Sequence, residues 1–137
     1  MRNNTRTPPA PDPGTARILR AEGAAALAAA LLAYAHLGLS WWLFAALILA
    51  PDLAMLGYLR GPRLGAALYN AAHTYVLPVL VGIVGWWVDS RLALGVALIL
   101  VAHVGFDRAM GYGLKLPQGF RHTHLGRIGR GAAPGGP

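Results

Sequence analysis

The chain of 137 residues has no cysteine and few charged residues. Without cysteine, a disulfide framework, a thiolate metal site and a cysteine nucleophile are all excluded. Charged residues make up 12% of the chain and hydrophobic residues 55%. Because about a quarter of a soluble domain is normally charged, this composition disfavours an ordinary soluble domain. The length is that of a single domain.

Long apolar runs dominate the sequence instead. A transmembrane helix needs about 20 mostly apolar residues to cross a hydrocarbon layer of ~30 Å. Four runs meet this requirement, the first only with its flanking residues: 23–38, 41–59, 64–88 and 92–111. The sequence therefore predicts an all-α fold, a bundle of four transmembrane helices. Cleavage of the first run as a signal peptide is the alternative, and Glu22 with the charged stretch before it argues against cleavage.

Basic residues fall mainly on one side of this four-helix arrangement, and the opposite side has only Arg91, with Asp89 of opposite sign beside it. The others occupy the N-terminal tail, the second connection and the C-terminal segment: Arg2, Arg6, Arg17, Arg20, Arg60, Arg63, Arg108, Lys115, Arg121, Arg127 and Arg130. Since basic loops stay on the cytoplasmic side, both termini are predicted to be cytoplasmic. The same basic residues account for the net charge of +7. We therefore expect the protein to interact with the lipid bilayer and not to bind nucleic acid.

The ends of the chain differ from its centre. Residues 1–17 and 127–137 have too few apolar side chains to offset their ordering entropy, so we expect disordered tails around a membrane domain at 18–126. Within that domain, residues 111–126 contain helix-breaking Gly and Pro together with apolar anchors such as Leu114 and Phe120. A re-entrant or interfacial C-terminal segment on the cytoplasmic face is the expected result.

Five polar side chains lie inside the predicted spans: Asp52, Asn70, His73, His103 and Asp107. Such groups cost several kcal/mol in a membrane unless they are paired or hydrated, so each is a candidate functional residue. At 1.5 Å per helical residue they lie about 6 to 15 Å from the cytoplasmic ends of their helices. Spacings of three and four residues also place Asn70 with His73, and His103 with Asp107, on shared helix faces.

Imidazoles and carboxylates at one depth are the ligand types of zinc and iron sites. We therefore expect His73, His103 and Asp107 to hold a divalent transition metal, with Asp52 as a ligand or general base. Asn70 or Tyr69 would orient water or substrate. Three more polar residues flank this set. Arg108 would meet an anionic head group, and His124, beside His122, could add a metal ligand. Glu22 suits the dipole of the first helix.

Three other interpretations fit the same residues. A hydrogen-bonded network between helices would serve structure alone, as in an accessory membrane protein. A buried protonated Asp52 or Asp107 could start the cyclisation of a prenyl chain without metal. Intramembrane Asp and His could also relay protons in an ion conductor, although no matching polar path is evident on the opposite side apart from His36.

Four strings of sequence, in this order, resemble the DUF4260 family of small bacterial membrane proteins: PDLAMLGY at 51–58, GPRLGAALYNAAH at 61–73, AHVGFDRAMGYGLK at 102–115 and THLG at 123–126. The resemblance covers about residues 22–126 and implies a bacterial inner-membrane protein. More remotely, the Pro-Asp-Leu motif and intramembrane histidines are similar to bacterial membrane proteins labelled metal-dependent hydrolases, which usually have a second acidic residue where this chain has Ala54. The leading hypothesis is thus a metal-dependent, hydrolase-like membrane enzyme acting on a lipid or prenyl substrate.

Overall fold

The fold comes from a computed structural model, which describes residues 12–116 and 119–127. Five α-helices and one 3-10 helix make up most of this part of the chain: α1 (Pro13–Leu37), α2 (Trp41–Leu47), the 3-10 helix (Ala50–Arg60), α3 (Pro62–Ala72), α4 (Val76–Trp87) and α5 (Arg91–Met110). Most of the residues predicted to be disordered tails, 1–11 and 128–137, lie outside the described residues.

Local capping sets where the long helices begin and end. The Asp12 carboxylate accepts hydrogen bonds from the Gly14 and Thr15 N–H groups, and Pro13 follows at the first helical position. For this reason α1 begins at Pro13, and the boundary predicted at residue 18 falls inside the helix. Ser90 caps the start of α5, and Gly111 ends it with φ 87°, a left-handed conformation that glycine adopts without strain.

Three helical stretches are long and apolar enough to cross a membrane: α1, Trp41–Arg60 and α5. A fourth span results if α3 and α4, bent by 40° at the break between them, are counted together. The prediction of a mostly helical bundle with three or four candidate membrane-spanning helices is therefore confirmed. The span predicted over 64–88 is broken at residues 73–75, because Pro78 has no N–H to donate to the Thr74 carbonyl.

The interior of the bundle is built from small side chains around α5, which packs on both α1 and α4. Gly23 and Gly105 face each other where α1 crosses α5; a Cβ at either glycine would lie 2.7–2.8 Å from backbone atoms of the other helix. Large apolar side chains point outward instead, including Leu32, Leu59 and Trp42. Close backbone contact inside and apolar side chains outside are typical of helices in lipid.

The C-terminal segment forms a small antiparallel sheet of β1 (Lys115–Leu116), β2 (Gly119–Thr123) and β3 (Gly126–Arg127). The sheet packs against α3. The all-α prediction is therefore wrong here, because strands of two to five residues are too short to show a period-two pattern in the sequence.

Bundle topology brings the start of α1 beside the end of α5, where Arg20 Nε donates to the Ala109 carbonyl at 2.9 Å. The end of the 3-10 helix and the start of α3 lie at this same end, because the helices alternate in direction. We call it the basic end, after the six residues Arg17, Arg20, Arg60, Arg63, Arg108 and Lys115.

The glycine crossing generates a testable prediction. Replacing Gly105 with Ala places a methyl group against backbone of α1, which cannot move aside as a flexible side chain could, so the bundle should lose about 1–3 kcal/mol. Thermal unfolding of the purified protein in detergent measures the loss. Gly82→Ala is the matched control, since its Cβ would meet only the Ala97 methyl at 3.6 Å. Equal melting temperatures for the two variants would contradict this account of the α1–α5 contact.

Candidate metal centre

The second span changes helix type at Pro51, and this change leaves a backbone carbonyl available. Pro51 has no N–H, and the Asp52 N–H donates to the Leu49 carbonyl at 3.1 Å. The Ile48 carbonyl is taken by a side chain instead: His103 Nδ1 on α5 donates to it across 2.6 Å. The proline thus provides the partner that fixes the orientation of one imidazole.

The second imidazole is fixed at the break after α3. His73 caps the end of this helix, and its Nδ1 donates to the Tyr69 carbonyl at 2.8 Å. The Tyr69 ring stacks on the imidazole with centroids 3.6 Å apart. Arg108 donates to the His73 carbonyl at 3.2 Å, so its guanidinium provides a hydrogen-bond partner for a backbone carbonyl at the end of the interrupted helix.

These two histidines meet Asp52 and Asp107 in one cluster, which we call the His–Asp cluster. The Nε2 atoms of His73 and His103 lie 3.0 Å apart, and Asp52 Oδ1 lies 3.3 Å and 3.5 Å from them. Asp107 Oδ2 lies 3.6 Å and 3.8 Å from the same two nitrogens. Four residues predicted from their depth in the spans are therefore brought together.

The hydrogen-bonding roles of the two imidazoles in the His–Asp cluster follow from their backbone partners. Because a carbonyl only accepts, the Nδ1 atoms of both histidines carry hydrogen, and each neutral imidazole presents a lone pair at Nε2. When both imidazoles are neutral, two lone pairs and two carboxylates face a common point with no donor between them. A nearby donor is the Tyr69 hydroxyl, which donates to Asp107 Oδ2 at 3.1 Å. This hydroxyl lies outside the triangle of Asp52, His73 and His103.

The spacing of these acceptors fits a metal ion. Ligands at ~2.0–2.1 Å from a tetrahedral zinc ion are about 3.4 Å from one another. The triangle formed by Asp52 Oδ1 and the two Nε2 atoms has edges of 3.0, 3.3 and 3.5 Å. Asp107 Oδ2 is a fourth candidate ligand within 3.8 Å of both nitrogens. The residues present therefore fit zinc or a similar divalent ion.

A cavity of about 370 Å³ opens beside the His–Asp cluster. Asp52 and Asp107 form part of its lining, and the Asp52 side chain is 32% exposed, whereas the two imidazoles are almost fully buried. The other walls are mainly aromatic and apolar, with Lys115 as the one cation: Met55, Tyr69, Phe106, Tyr112, Lys115 and Phe120. A molecule with an apolar body and a polar group could therefore reach the cluster.

Asn70 contacts the C-terminal sheet and not the His–Asp cluster. Its side chain accepts from the Lys115 N–H at 2.6 Å and donates to the Lys115 carbonyl at 2.8 Å. The amide group thereby pairs with β1 as a neighbouring strand would. The sequence predicts that Asn70 orients water or substrate. In the structure its amide group holds the backbone of Lys115 in place instead.

Arg108 and His124 lie together on another side of the bundle, where with Glu22 and Tyr75 they line a separate cavity of about 150 Å³. The His124 Nδ1 accepts from the Leu114 N–H at 2.8 Å, and desolvation and then the charge of Arg108 lower the pKa of this imidazole. His124 is therefore not brought to the cluster as a ligand, and Arg108 does not face the larger cavity. The His122 side chain lies outside the described part of the chain.

Sequence reasoning missed Lys115 as a site residue. Its side chain is only 3% exposed, and burial lowers the pKa of the ammonium while the Asp107 carboxylate opposes this. Lysine in a loop after a helix normally faces solvent, so position alone gave no indication of burial. The signal available was its place in a segment rich in apolar anchors.

The family model described as a domain of unknown function, DUF4260, matches residues 16–128. The match covers most of the chain, which therefore belongs to the DUF4260 family, as the resemblance implied. No curated protein and no solved structure matches it. Together, family and fold define a small protein with apolar, membrane-type helices around a His–Asp cluster.

Asn70→Ala should loosen β1 without disturbing the His–Asp cluster. The variant loses two side-chain hydrogen bonds to Lys115, each contributing about 0.5–1.5 kcal/mol. Hydrogen exchange followed by mass spectrometry should show roughly tenfold faster exchange at the Lys115 amide than in the parent chain. Ser90→Ala, which removes the cap of the distant α5 terminus, serves as the control. Unchanged exchange in the Asn70 variant would show that the sheet does not depend on this clamp.

Proposed function

We propose that the protein is a metal-dependent membrane enzyme of hydrolytic type, acting on a lipid-like substrate. His73, His103 and Asp107 would hold a divalent transition metal, zinc or iron, with Asp52 as a further ligand or as the general base. The observation that carries the proposal is the pair of Nε2 lone pairs facing each other at 3.0 Å beside two carboxylates. Such an arrangement is repulsive in a membrane interior unless a cation lies between the acceptors.

Charge balance favours a divalent ion over a proton. A single proton shared by the two Nε2 atoms would still leave a net negative charge with two carboxylates. A divalent cation neutralises both carboxylates and satisfies both imidazoles at once. Within the described residues, Asp52 and Asp107 form no direct ion pair with Arg or Lys, and the Lys115 ammonium interacts with Asp107 only at longer range.

The surrounding groups support a chemical role as well as binding. When bound, a divalent metal lowers the pKa of water and polarises a carbonyl or phosphoryl oxygen. Asp52 is the most exposed member of the cluster and faces the cavity, so it can accept the proton of an attacking water. Tyr69 orients Asp107 through its hydroxyl and covers one face of His73, which keeps both groups in a fixed geometry.

Access to the cavity supports a substrate that arrives from the bilayer. The 3-10 helix packs mainly on α3, and the cavity lies between its residues Asp52 and Met55 and the α5 residues Phe106 and Asp107. Phe106 and Phe120 line the cavity and are about half exposed. Since the basic end adjoins this cavity, we place it on the cytoplasmic side of a bacterial inner membrane, with both termini in the cytoplasm.

Elemental analysis tests the metal site. Protein purified in detergent and loaded with zinc or ferrous iron should retain about one ion per chain after desalting. His73→Ala and His103→Ala should each weaken binding by at least about tenfold, and Tyr69→Phe should weaken it less because only an orienting hydrogen bond is lost. His36→Ala, exposed at the far end of α1, is the matched control.

The same experiment includes the outcome that rejects the proposal. A wild-type chain that retains neither metal, while remaining folded by circular dichroism, would identify a proton as the occupant of the cluster. In that case a structural or proton-transferring network replaces the enzyme. Metal retained equally by His36→Ala, His73→Ala and His103→Ala would show adventitious binding elsewhere on the chain.

A further inference from the structure

Lys115 has no role in the proposed metal site, yet it is the only lysine among the 12 basic residues of the chain. It begins β1 on a buried segment, and its backbone is held by the Asn70 amide at both N–H and carbonyl. Burying a long cationic side chain costs free energy unless the charge has a partner. A surface location would avoid this cost, so the burial requires an explanation.

The groups in direct contact with the ammonium are aromatic rings, and the Asp107 carboxylate acts on it at longer range. Lys115 Nζ lies 4.0 Å from the centroid of the Phe120 ring and 5.0 Å from that of Tyr69. Within the described part of the chain, no carboxylate forms an ion pair with it. Cation–π contacts stabilise the charge only in part. The two carboxylates of the cavity, Asp52 and Asp107, belong to the His–Asp cluster and form no ion pair with the ammonium, which can therefore pair with an anionic ligand.

A single ring links this ammonium to the His–Asp cluster. Tyr69 stacks on His73 at 3.6 Å and also contacts Lys115 Nζ, while its hydroxyl reaches Asp107. Lys115, Asp52 and Asp107 line the same cavity. A ligand with several anionic oxygens on one centre could therefore meet the ammonium with one oxygen and the metal centre with another.

From this geometry we propose that Lys115 binds the phosphate group of a phosphorylated amphiphile, whose apolar chain leaves the cavity beside Phe106. A phosphate suits the arrangement better than a carboxylate, because its oxygens point in several directions from one phosphorus atom. The inference rests on the proposed function for its chemical step, although the binding of phosphate by Lys115 can be tested without metal.

The reaction implied is hydrolysis of a phosphate monoester. Water adds to phosphorus and the bond between phosphorus and the ester oxygen breaks. The alcohol leaves with one proton of the water, and inorganic phosphate keeps the water oxygen with the other proton. Lys115 holds the phosphate before and after the step, and Asn70 acts as a positioning residue by fixing the lysine backbone.

Chemical labelling of the parent chain tests the binding directly. Because Lys115 is the one lysine, reductive methylation followed by peptide mass spectrometry reports on its amine, with the N-terminal amine as internal control. Phosphatidate in phosphatidylcholine nanodiscs should slow methylation of Lys115 several-fold relative to phosphatidylcholine alone. No protection by phosphatidate would overturn the proposal, and equal protection by inorganic phosphate would identify free phosphate, not a lipid, as the ligand.

Substitutions provide the second readout. Lys115→Met removes the charge but keeps an apolar side chain suited to burial, so phosphatidate binding should weaken by roughly 10- to 100-fold, and Lys115→Arg should restore part of it. Arg121→Met, on the exposed surface of the same sheet, is the control. Wild-type affinity in the folded Lys115→Met variant would contradict the proposal.

Metal content separates the two proposals. Lys115→Met should retain metal as the parent chain does, while losing both phosphatidate binding and the release of inorganic phosphate. Binding is measured on metal-free and metal-loaded protein. If the parent chain holds no metal but phosphatidate still protects Lys115, the proposed function fails and the phosphate site stands. If metal is retained and phosphatidate does not protect Lys115, the phosphate site fails and the proposed metal site stands.

Discussion

The His–Asp cluster depends on the commitment of two imidazole N–H groups to main-chain carbonyls. His103 donates to Ile48 and His73 donates to Tyr69, and both carbonyls belong to helices that are interrupted close by. A continuous α-helix would use the Ile48 carbonyl for its own ladder, so Pro51 is as important to the site as the histidines themselves. With both Nδ1 atoms occupied, the remaining nitrogens and the two carboxylates face one another.

Helix interruptions of this kind are tolerated in a membrane protein only where protein or a cavity surrounds them. Here the free backbone groups of both breaks receive side chains from α5: His103 at the first break and Arg108 at the second. The close glycine crossing between α1 and α5 holds α5 firmly against α1. Packing at Gly105, which lies between His103 and Asp107 on α5, thus supports the alignment of the imidazoles.

Depth and helical spacing were sufficient to predict Asp52, His73, His103 and Asp107 as one cluster, because these quantities follow from rise per residue and period alone. The same reasoning did not place Asn70, whose partner is a strand too short to recognise in sequence. It associated His124 and Arg108 with the cluster although they face another cavity. Residues beyond the last helix depend on how the chain folds back, which no periodicity encodes.

X-ray absorption at the edge of the bound metal tests the central claim most directly, since it reports the atoms that contact the ion. The account predicts two imidazole nitrogens at ~2.0–2.1 Å together with carboxylate oxygen in the zinc-loaded protein, and loss of one imidazole in His103→Ala. A coordination shell of oxygen alone, without the scattering pattern of imidazole, would contradict the assignment of His73 and His103 as ligands.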